Sequence, residues 1–193
     1  MTFTFKKQET EDKVLDMPKF NLNNLGKPVS SPQNVVLILE SFESKMTLLG
    51  YNEFTGAVEK LDKTPWETLK GEWDSEDTSL FSVYIDKQFH FTPKKDYIED
   101  AVLEVARRRK FNPVKERIES VEWDGVHRVK YFFQTLLGCE NNIYTREVSK
   151  MFLTGLIGRV YKPGIKFDNV PVLIGPQGIG KSTVARRLLP DAF

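Results

Sequence analysis

One segment near the end of the chain has a spacing of glycine, lysine and serine that predicts both a local fold and a ligand. Gly175-Pro176-Gln177-Gly178-Ile179-Gly180-Lys181-Ser182 matches the pattern G-x-x-x-x-G-K-[ST] of phosphate-binding P-loops. Glycines let backbone N–H groups curl around a phosphate, because a side chain would block that approach. The apolar run 170–174 precedes the loop and a helix-favouring run, 182–189, follows it. The segment therefore predicts a strand, a loop and a helix in that order.

Each part of this loop has an expected role in binding a nucleoside triphosphate. The N-terminus of the following helix adds a partial positive charge. Lys181 would reach the β- and γ-phosphates, and the Ser182 hydroxyl would complete the Mg²⁺ shell. ATP and Mg²⁺ are therefore the expected cofactors. The expected nucleotide-binding residues are Gly175, Pro176, Gln177, Gly178, Ile179, Gly180, Lys181, Ser182 and Thr183.

Hydrolysis of ATP needs more than this loop. A P-loop ATPase also uses an acidic residue on a later strand to hold Mg²⁺ and position water. Only ten residues follow Thr183, and Asp191 is the one acidic residue among them, just past the predicted helix. We therefore expect the sequence to be the front portion of a larger enzyme and to be inactive by itself. No catalytic residue is predicted.

Composition excludes several other classes of protein. Hydrophobic residues make up 40% and charged residues 28%, with a net charge of +1, as in an ordinary globular domain. No stretch approaches the ~20 apolar residues of a membrane helix, and the N-terminus lacks the apolar region of a signal peptide. We expect a cytoplasmic protein with no membrane partner. The single Cys139 excludes an internal disulfide and a cysteine-clustered zinc site.

The order of patterns predicts an α+β fold in three parts. Residues 1–31 are polar and predict a flexible leader. Residues 32–165 predict a mostly helical accessory module with one β-hairpin, whose turn is Glu53-Phe54-Thr55-Gly56. Residues 166–193 predict the start of a truncated α/β P-loop NTPase domain. Within the module, we expect helices near 35–42, 77–90, 92–111, 113–121, 126–137 and 143–161.

A cluster of cations lies at the end of one predicted helix. Arg107, Arg108, Arg109 and Lys110 are consecutive. Cations favour a helix C-terminus, so the cluster could be a solvated helix end. A patch that contacts the phosphate backbone of DNA is the alternative. The sequence leaves both interpretations open.

Several short motifs precede the loop in a fixed order, and together they resemble the virulence-associated protein E family of phages and mobile genetic islands. The resemblance covers about residues 34–193. Its motifs are Tyr51-Asn52-Glu53-Phe54-Thr55-Gly56, Trp66, Gly71-Glu72-Trp73, Phe111-Asn112-Pro113-Val114, Trp123-Asp124-Gly125-Val126-His127-Arg128, Tyr161-Lys162-Pro163-Gly164 and Lys166-Phe167-Asp168.

The resemblance implies a replication ATPase related to superfamily 3 helicases, with an AAA+-like motor that acts as a ring-type homo-oligomer on DNA. One hypothesis is therefore a helicase-type ATPase fragment that acts in DNA replication of a mobile element. A second hypothesis is a non-catalytic DNA-binding or assembly module with a vestigial P-loop. A third, a small-molecule kinase, is disfavoured because such enzymes usually begin near their P-loop strand.

Overall fold

The computed structural model describes residues 18–188, and the chain divides into two compact units. Among these residues, unit 1 comprises 18–51 and 57–110, and unit 2 comprises 52–56 and 111–188. This division differs from the predicted boundaries at 31/32 and 165/166. Periodicity shows which face of a helix is apolar, but it does not show which other element covers that face. The helices after residue 111 belong with the glycine-rich loop and not with the first three helices.

Unit 1 is built on three helices whose ends are set by local capping. These are α1 (Pro32–Glu43), α2 (Ser75–Phe89) and α3 (Lys95–Arg107). Ser31 caps α1 by accepting from the Asn34 N–H, with Pro32 in the first turn. Asp74 and Asp77 form a capping box at the start of α2. The predicted helices in these three regions are confirmed, with shifts of a few residues at their ends.

The three helices bury a continuous apolar core. Apolar side chains repeat at helical spacing along α1 and α3, so that each helix turns one stripe inward. Trp66 lies in this core, with its ring 4.3 Å from that of Phe81. The fully buried large residues include Val35, Ile38, Leu39, Phe81, Ile85 and Ile98.

A small sheet accompanies these helices. Its strands are β1 (Leu49–Asn52), β2 (Ala57–Lys60), β3 (Gly71–Glu72) and β4 (Lys110–Phe111), in the order β3-β2-β1-β4. The predicted hairpin is confirmed as β1 and β2. The sequence did not predict β3 and β4, because each has only two residues and depends on a neighbour distant in sequence. Strand β3 pairs with β2 in an antiparallel register, with Lys60 opposite Gly71.

The predicted flexible leader differs from the structure over residues 18–31. The buried Asn34 side chain donates to the carbonyls of Asn21 (2.9 Å) and Val29 (2.8 Å), and it accepts from the Asn21 N–H (2.8 Å). Phe20 adds edge-to-face ring contacts with Phe89 and Phe91. Two aromatic contacts and one buried amide therefore hold this segment in place, although its polar composition predicted no fixed structure. Residues 1–17 of the predicted leader lie outside the described residues.

Unit 2 contains the remaining helices. They are α4 (Pro113–Glu119), a 3-10 turn (Val129–Tyr131), α5 (Phe132–Leu137), α6 (Ile143–Tyr161) and α7 (Lys181–Leu188). Asn112 and Asn142 cap α4 and α6 with their side-chain oxygens. Helix α6 has the bounds that its apolar pattern predicts. The predicted helix over 126–137 is shorter, because residues 126–128 form no helix before the 3-10 turn.

The strand predicted over residues 170–174 is not formed in the described part of the chain. A strand is defined by a ladder of hydrogen bonds, and within residues 18–188 this segment forms no such ladder. The predicted strand–loop–helix unit is therefore present only as its loop and helix. Across residues 18–188 the fold is mixed α+β, as predicted. None of its helices is long and apolar enough to cross a membrane.

Candidate functional site

The glycine-rich loop of unit 2 turns on two glycines with left-handed backbone angles. Gly178 has φ +90° and Gly180 has φ +93°, a region that other residues rarely adopt. A Cβ added to either glycine would meet no heavy atom within 4 Å. The space beside these two glycines is therefore open, so that no neighbouring atom blocks an approach to the backbone at these two positions.

Helix α7 begins where this loop ends, and its N-terminus supplies hydrogen-bond donors. The Val184 N–H donates to the Gly180 carbonyl (2.9 Å), which is the first bond of the helix. Among residues 18–188, the N–H groups of Lys181, Ser182 and Thr183 have no acceptor, as expected for the first turn of a helix. These donors and the helix dipole favour a negative charge at this end.

Lys181 folds back across the mouth of the loop. Its Nζ donates to the carbonyl oxygens of Gly175 (2.8 Å) and Pro176 (2.7 Å). The ammonium charge therefore lies beside the same loop that presents the helix N-terminus. Ser182 is exposed at the first turn of α7, so its hydroxyl is accessible from solvent.

The segment that enters the loop is attached to helix α6 through Phe167. The Phe167 ring lies against Gly155, where an added Cβ would be 2.3 Å from the ring Cζ. Arg159 donates to the Phe167 carbonyl (3.1 Å), and its guanidinium lies 6.0 Å from the ring centre. Beyond this attachment Val170, Val172 and Ile174 are 81%, 78% and 92% exposed.

The residues of this attachment were not predicted as functional. Gly155 interrupts the apolar pattern of a long helix, and an isolated helical glycine often marks a close approach. That signal could have identified Gly155. Nothing local in the sequence indicates that Phe167 would cover it, because the two residues are twelve positions apart.

The predicted cationic cluster lies in unit 1, and two of its arginines are compensated there. Arg108 bridges Glu40 (2.5 Å) and Glu104 (2.7 Å), and Arg109 pairs with Glu43 (2.7 Å). The hydrogen bonds that Arg108 donates to Glu40 and Glu104 raise the pKa of its guanidinium. Arg107 lies over the Tyr51 ring, and Lys110 also interacts with a neighbouring group. Residues that are consecutive in sequence thus face different partners.

The loop geometry fits a phosphate group and a divalent cation. Open space beside the glycines, three N–H donors and one lysine ammonium together complement a polyphosphate. A serine hydroxyl at the first helical turn is an oxygen ligand of the kind that Mg²⁺ accepts. The structure brings all the residues Gly175 to Thr183 into one loop and helix end.

Comparison with known proteins identifies similarity over part of the chain. Residues 118–193 match the family model of the virulence-associated protein E-like domain. This matched range is less than half of the chain, and it lies within unit 2. The match shows similarity to that domain over this range, and residues 34–117 of the wider resemblance lie outside it. No curated protein matches the chain.

Proposed function

We propose that this chain acts in ATP-dependent DNA replication, as a helicase-type P-loop ATPase of a phage or mobile genetic element. The observation that carries the proposal is the loop at Gly175–Ser182. Gly178 and Gly180 leave open space beside the backbone, and the Lys181 ammonium and three N–H groups without an acceptor belong to the same loop and helix end. The family match over residues 118–193 supports the association with mobile elements.

Binding of a triphosphate at this loop would replace the hydrogen-bond partners that Lys181 has in the structure. Lys181 would leave the carbonyls of Gly175 and Pro176 and donate to phosphate oxygens, which are stronger acceptors because they are charged. The N–H groups of Lys181, Ser182 and Thr183 would donate to the same phosphates. Ser182 would ligate Mg²⁺, which neutralises part of the phosphate charge when bound.

Equilibrium binding tests this proposal. The full chain is titrated with Mg-ATP, and binding is followed by ligand-observed NMR, which detects dissociation constants into the millimolar range. We expect weak binding that Lys181→Ala weakens at least tenfold and that Lys150→Ala, an exposed lysine of α6, leaves unchanged. Equal binding by the parent and Lys181→Ala would exclude a P-loop role for this segment.

A non-catalytic assembly module is the second candidate, and one observation favours it. The side chains of Val170, Val172 and Ile174 form an exposed apolar row directly before the loop. Such a row is an association surface. This candidate predicts self-association without nucleotide, abolished by Val172→Lys, together with no Lys181-dependent ATP binding. Sedimentation velocity with and without Mg-ATP separates the two candidates.

DNA is the proposed macromolecular partner, and a ring-type homo-oligomer is the proposed assembly. If Arg107, Arg108, Arg109 and Lys110 contact phosphates, replacing all four with alanine should lower DNA affinity. The slope of log affinity against log salt should then flatten by nearly one for each lost contact. Because Arg108 and Arg109 also pair with glutamates, the melting temperature is measured in parallel. Unchanged affinity and salt slope in a folded quadruple variant would make the cluster a solvated helix end.

A further inference from the structure

A cavity in unit 2 lies beside the segment that leads to the glycine-rich loop. Its volume is about 370 Å³, within the typical range of about 300–1,000 Å³ for small-molecule pockets. Aromatic and aliphatic side chains form most of the wall, and they include Phe54, Phe152, Leu156 and Phe167. Arg159 and Asn169 add polar groups. A mostly apolar cavity with a few polar groups is the usual form of an organic ligand site.

The cavity lies close to the loop along the chain. Pro171 is part of its wall, and Gly175 begins the loop four residues later. An extended chain advances at most ~3.6 Å per residue, so Pro171 and Gly175 are no more than about 14 Å apart. A nucleoside triphosphate in an extended conformation can cover a span up to that limit. One nucleotide could therefore occupy both places.

The chemistry of the wall favours a flat aromatic ligand. Three phenylalanine rings offer faces and edges for stacking, and stacking of a nucleobase on aromatic side chains is favourable for any base. The Asn169 side chain has no hydrogen-bond partner among residues 18–188, and its amide offers both a donor and an acceptor. Arg159 is already held by the Phe167 carbonyl, so its guanidinium is fixed at the edge of the cavity.

We propose that this cavity binds the base of the nucleoside triphosphate, with Phe54 as a specificity-determining wall. The inference rests on the proposed function, since it places the triphosphate of the same ligand on the loop. Phe54 comes from the tip of the hairpin, outside the residues that match the family model. The hairpin thus contributes to nucleotide selection in this chain, a role that the P-loop motif does not assign.

The experiment compares two ligands on the full chain, Mg-ATP and inorganic magnesium triphosphate. Amide NMR titrations give both affinities and the residues that respond. We expect ATP to bind roughly tenfold more tightly than triphosphate, because only ATP carries a base to stack. ATP alone should shift the amide signals of residues near Phe54 and Gly155, whereas both ligands should shift those of Gly178 and Gly180.

Substitutions in the cavity wall then test whether the nucleotide base binds there. Phe54→Ala should reduce ATP affinity roughly tenfold and leave triphosphate affinity unchanged. Phe54→Leu, which keeps an apolar side chain at the hairpin tip, should give a smaller loss. Tyr144→Ala removes an exposed aromatic ring of the same unit and should change neither affinity. Melting temperatures establish that each variant is folded.

Different results would overturn the base site alone and the proposed P-loop function as a whole. Equal, Lys181-dependent affinities for ATP and triphosphate in the parent would overturn the base site and leave the P-loop function intact. The same conclusion follows if ATP shifts no signal near Phe54. Lack of binding of both ligands would overturn the proposed function and the base site together. The comparison of the two ligands on the parent needs no variant, so it distinguishes these outcomes even if Phe54→Ala misfolds.

Discussion

Lys60 and Asp77 form an ion pair in unit 1 whose side chains are only 8% and 2% exposed. Asp77 also accepts from the Asp74 N–H (3.1 Å) as part of the capping box of α2. The carboxylate therefore connects strand β2 with the start of a helix. Removing one partner of a buried pair leaves the other charge without compensation, which is much more costly than losing an exposed pair.

Asp77→Ala should accordingly lower the free energy of unfolding by about 3 kcal/mol. Replacing both partners, as Lys60→Met with Asp77→Leu, should recover a large part of that loss because no charge stays buried. Glu76→Ala, an exposed neighbour in the same helical turn, should cost less than about 1 kcal/mol. Urea unfolding measures all three. A loss below about 1 kcal/mol for Asp77→Ala would mean that Lys60 reaches water when unpaired.

Asp124 illustrates the opposite case, an exposed carboxylate held by a fixed partner. Arg128 donates through two nitrogens to its two oxygens, each at 2.7 Å, and the Val126 N–H adds a third bond (3.0 Å). The hydrogen bonds from Arg128, followed by that from Val126, lower the pKa of Asp124 from 3.8 to about 2. Because the pKa is lowered on folding, the stabilisation is present above the ordinary carboxyl pKa and is lost as the pH falls through about 2.

Side-chain carboxyl NMR of Asp124 should therefore give a midpoint near pH 2. Arg128→Gln removes the largest cause and should raise this pKa toward its ordinary value. Lys130→Gln removes a cation that is not among the causes of this pKa shift, and the midpoint should not move. A parent midpoint close to 3.8 would show that the Arg128 contact is not maintained in solution.

Helix α6 positions the segment before the glycine-rich loop through the contact between Gly155 and Phe167. Gly155→Ala would place a Cβ 2.3 Å from the ring Cζ, so the ring must move. We expect a loss of about 1–3 kcal/mol from this overpacking. Gly158 is the matched control on the same helix, since its added Cβ would meet only Ile165 Cδ1 at 4.0 Å.

Gly158→Ala should stabilise the protein by about 0.5–1 kcal/mol, because alanine loses less backbone entropy than glycine in a helix. Thermal unfolding of the two variants should thus shift in opposite directions. If Gly155→Ala also raised the melting temperature, Phe167 would not lie on Gly155 in solution.

At the scale of helices and strands, the sequence predicts an element well when the residues that determine it are close together in the chain. Asn112 and Asn142 cap their helices within three residues, so the starts of α4 and α6 could be read directly. Strands β3 and β4 depend on a partner elsewhere in the chain, and nothing in two residues signals that partner. The apolar run 170–174, in contrast, was predicted as a strand and does not form one. Its composition suits a strand, but a strand also needs a neighbour to bond with.

At the scale of the molecule, the position of the glycine-rich loop could be predicted from sequence because its residues are consecutive, while their binding of phosphate stays a prediction. The division into units could not, because it depends on which helices cover one another. Asn34 gives a further example, since a single buried amide fixes residues 21 and 29 through bonds that composition does not reveal. The cavity beside Pro171 also combines residues far apart in sequence, with Phe54 more than one hundred positions from Phe167.

Amide hydrogen exchange tests most directly whether residues 175–183 bind the phosphates of a nucleotide, as proposed. Exchange is measured by mass spectrometry on the full chain, with and without saturating Mg-ATP. We predict slower exchange in peptides that cover residues 175–183, since the N–H groups of Lys181, Ser182 and Thr183 would gain acceptors. Lys181→Ala should abolish this protection. Unchanged exchange in residues 175–183 at a concentration where ATP binds, or equal protection in Lys181→Ala, would contradict the account.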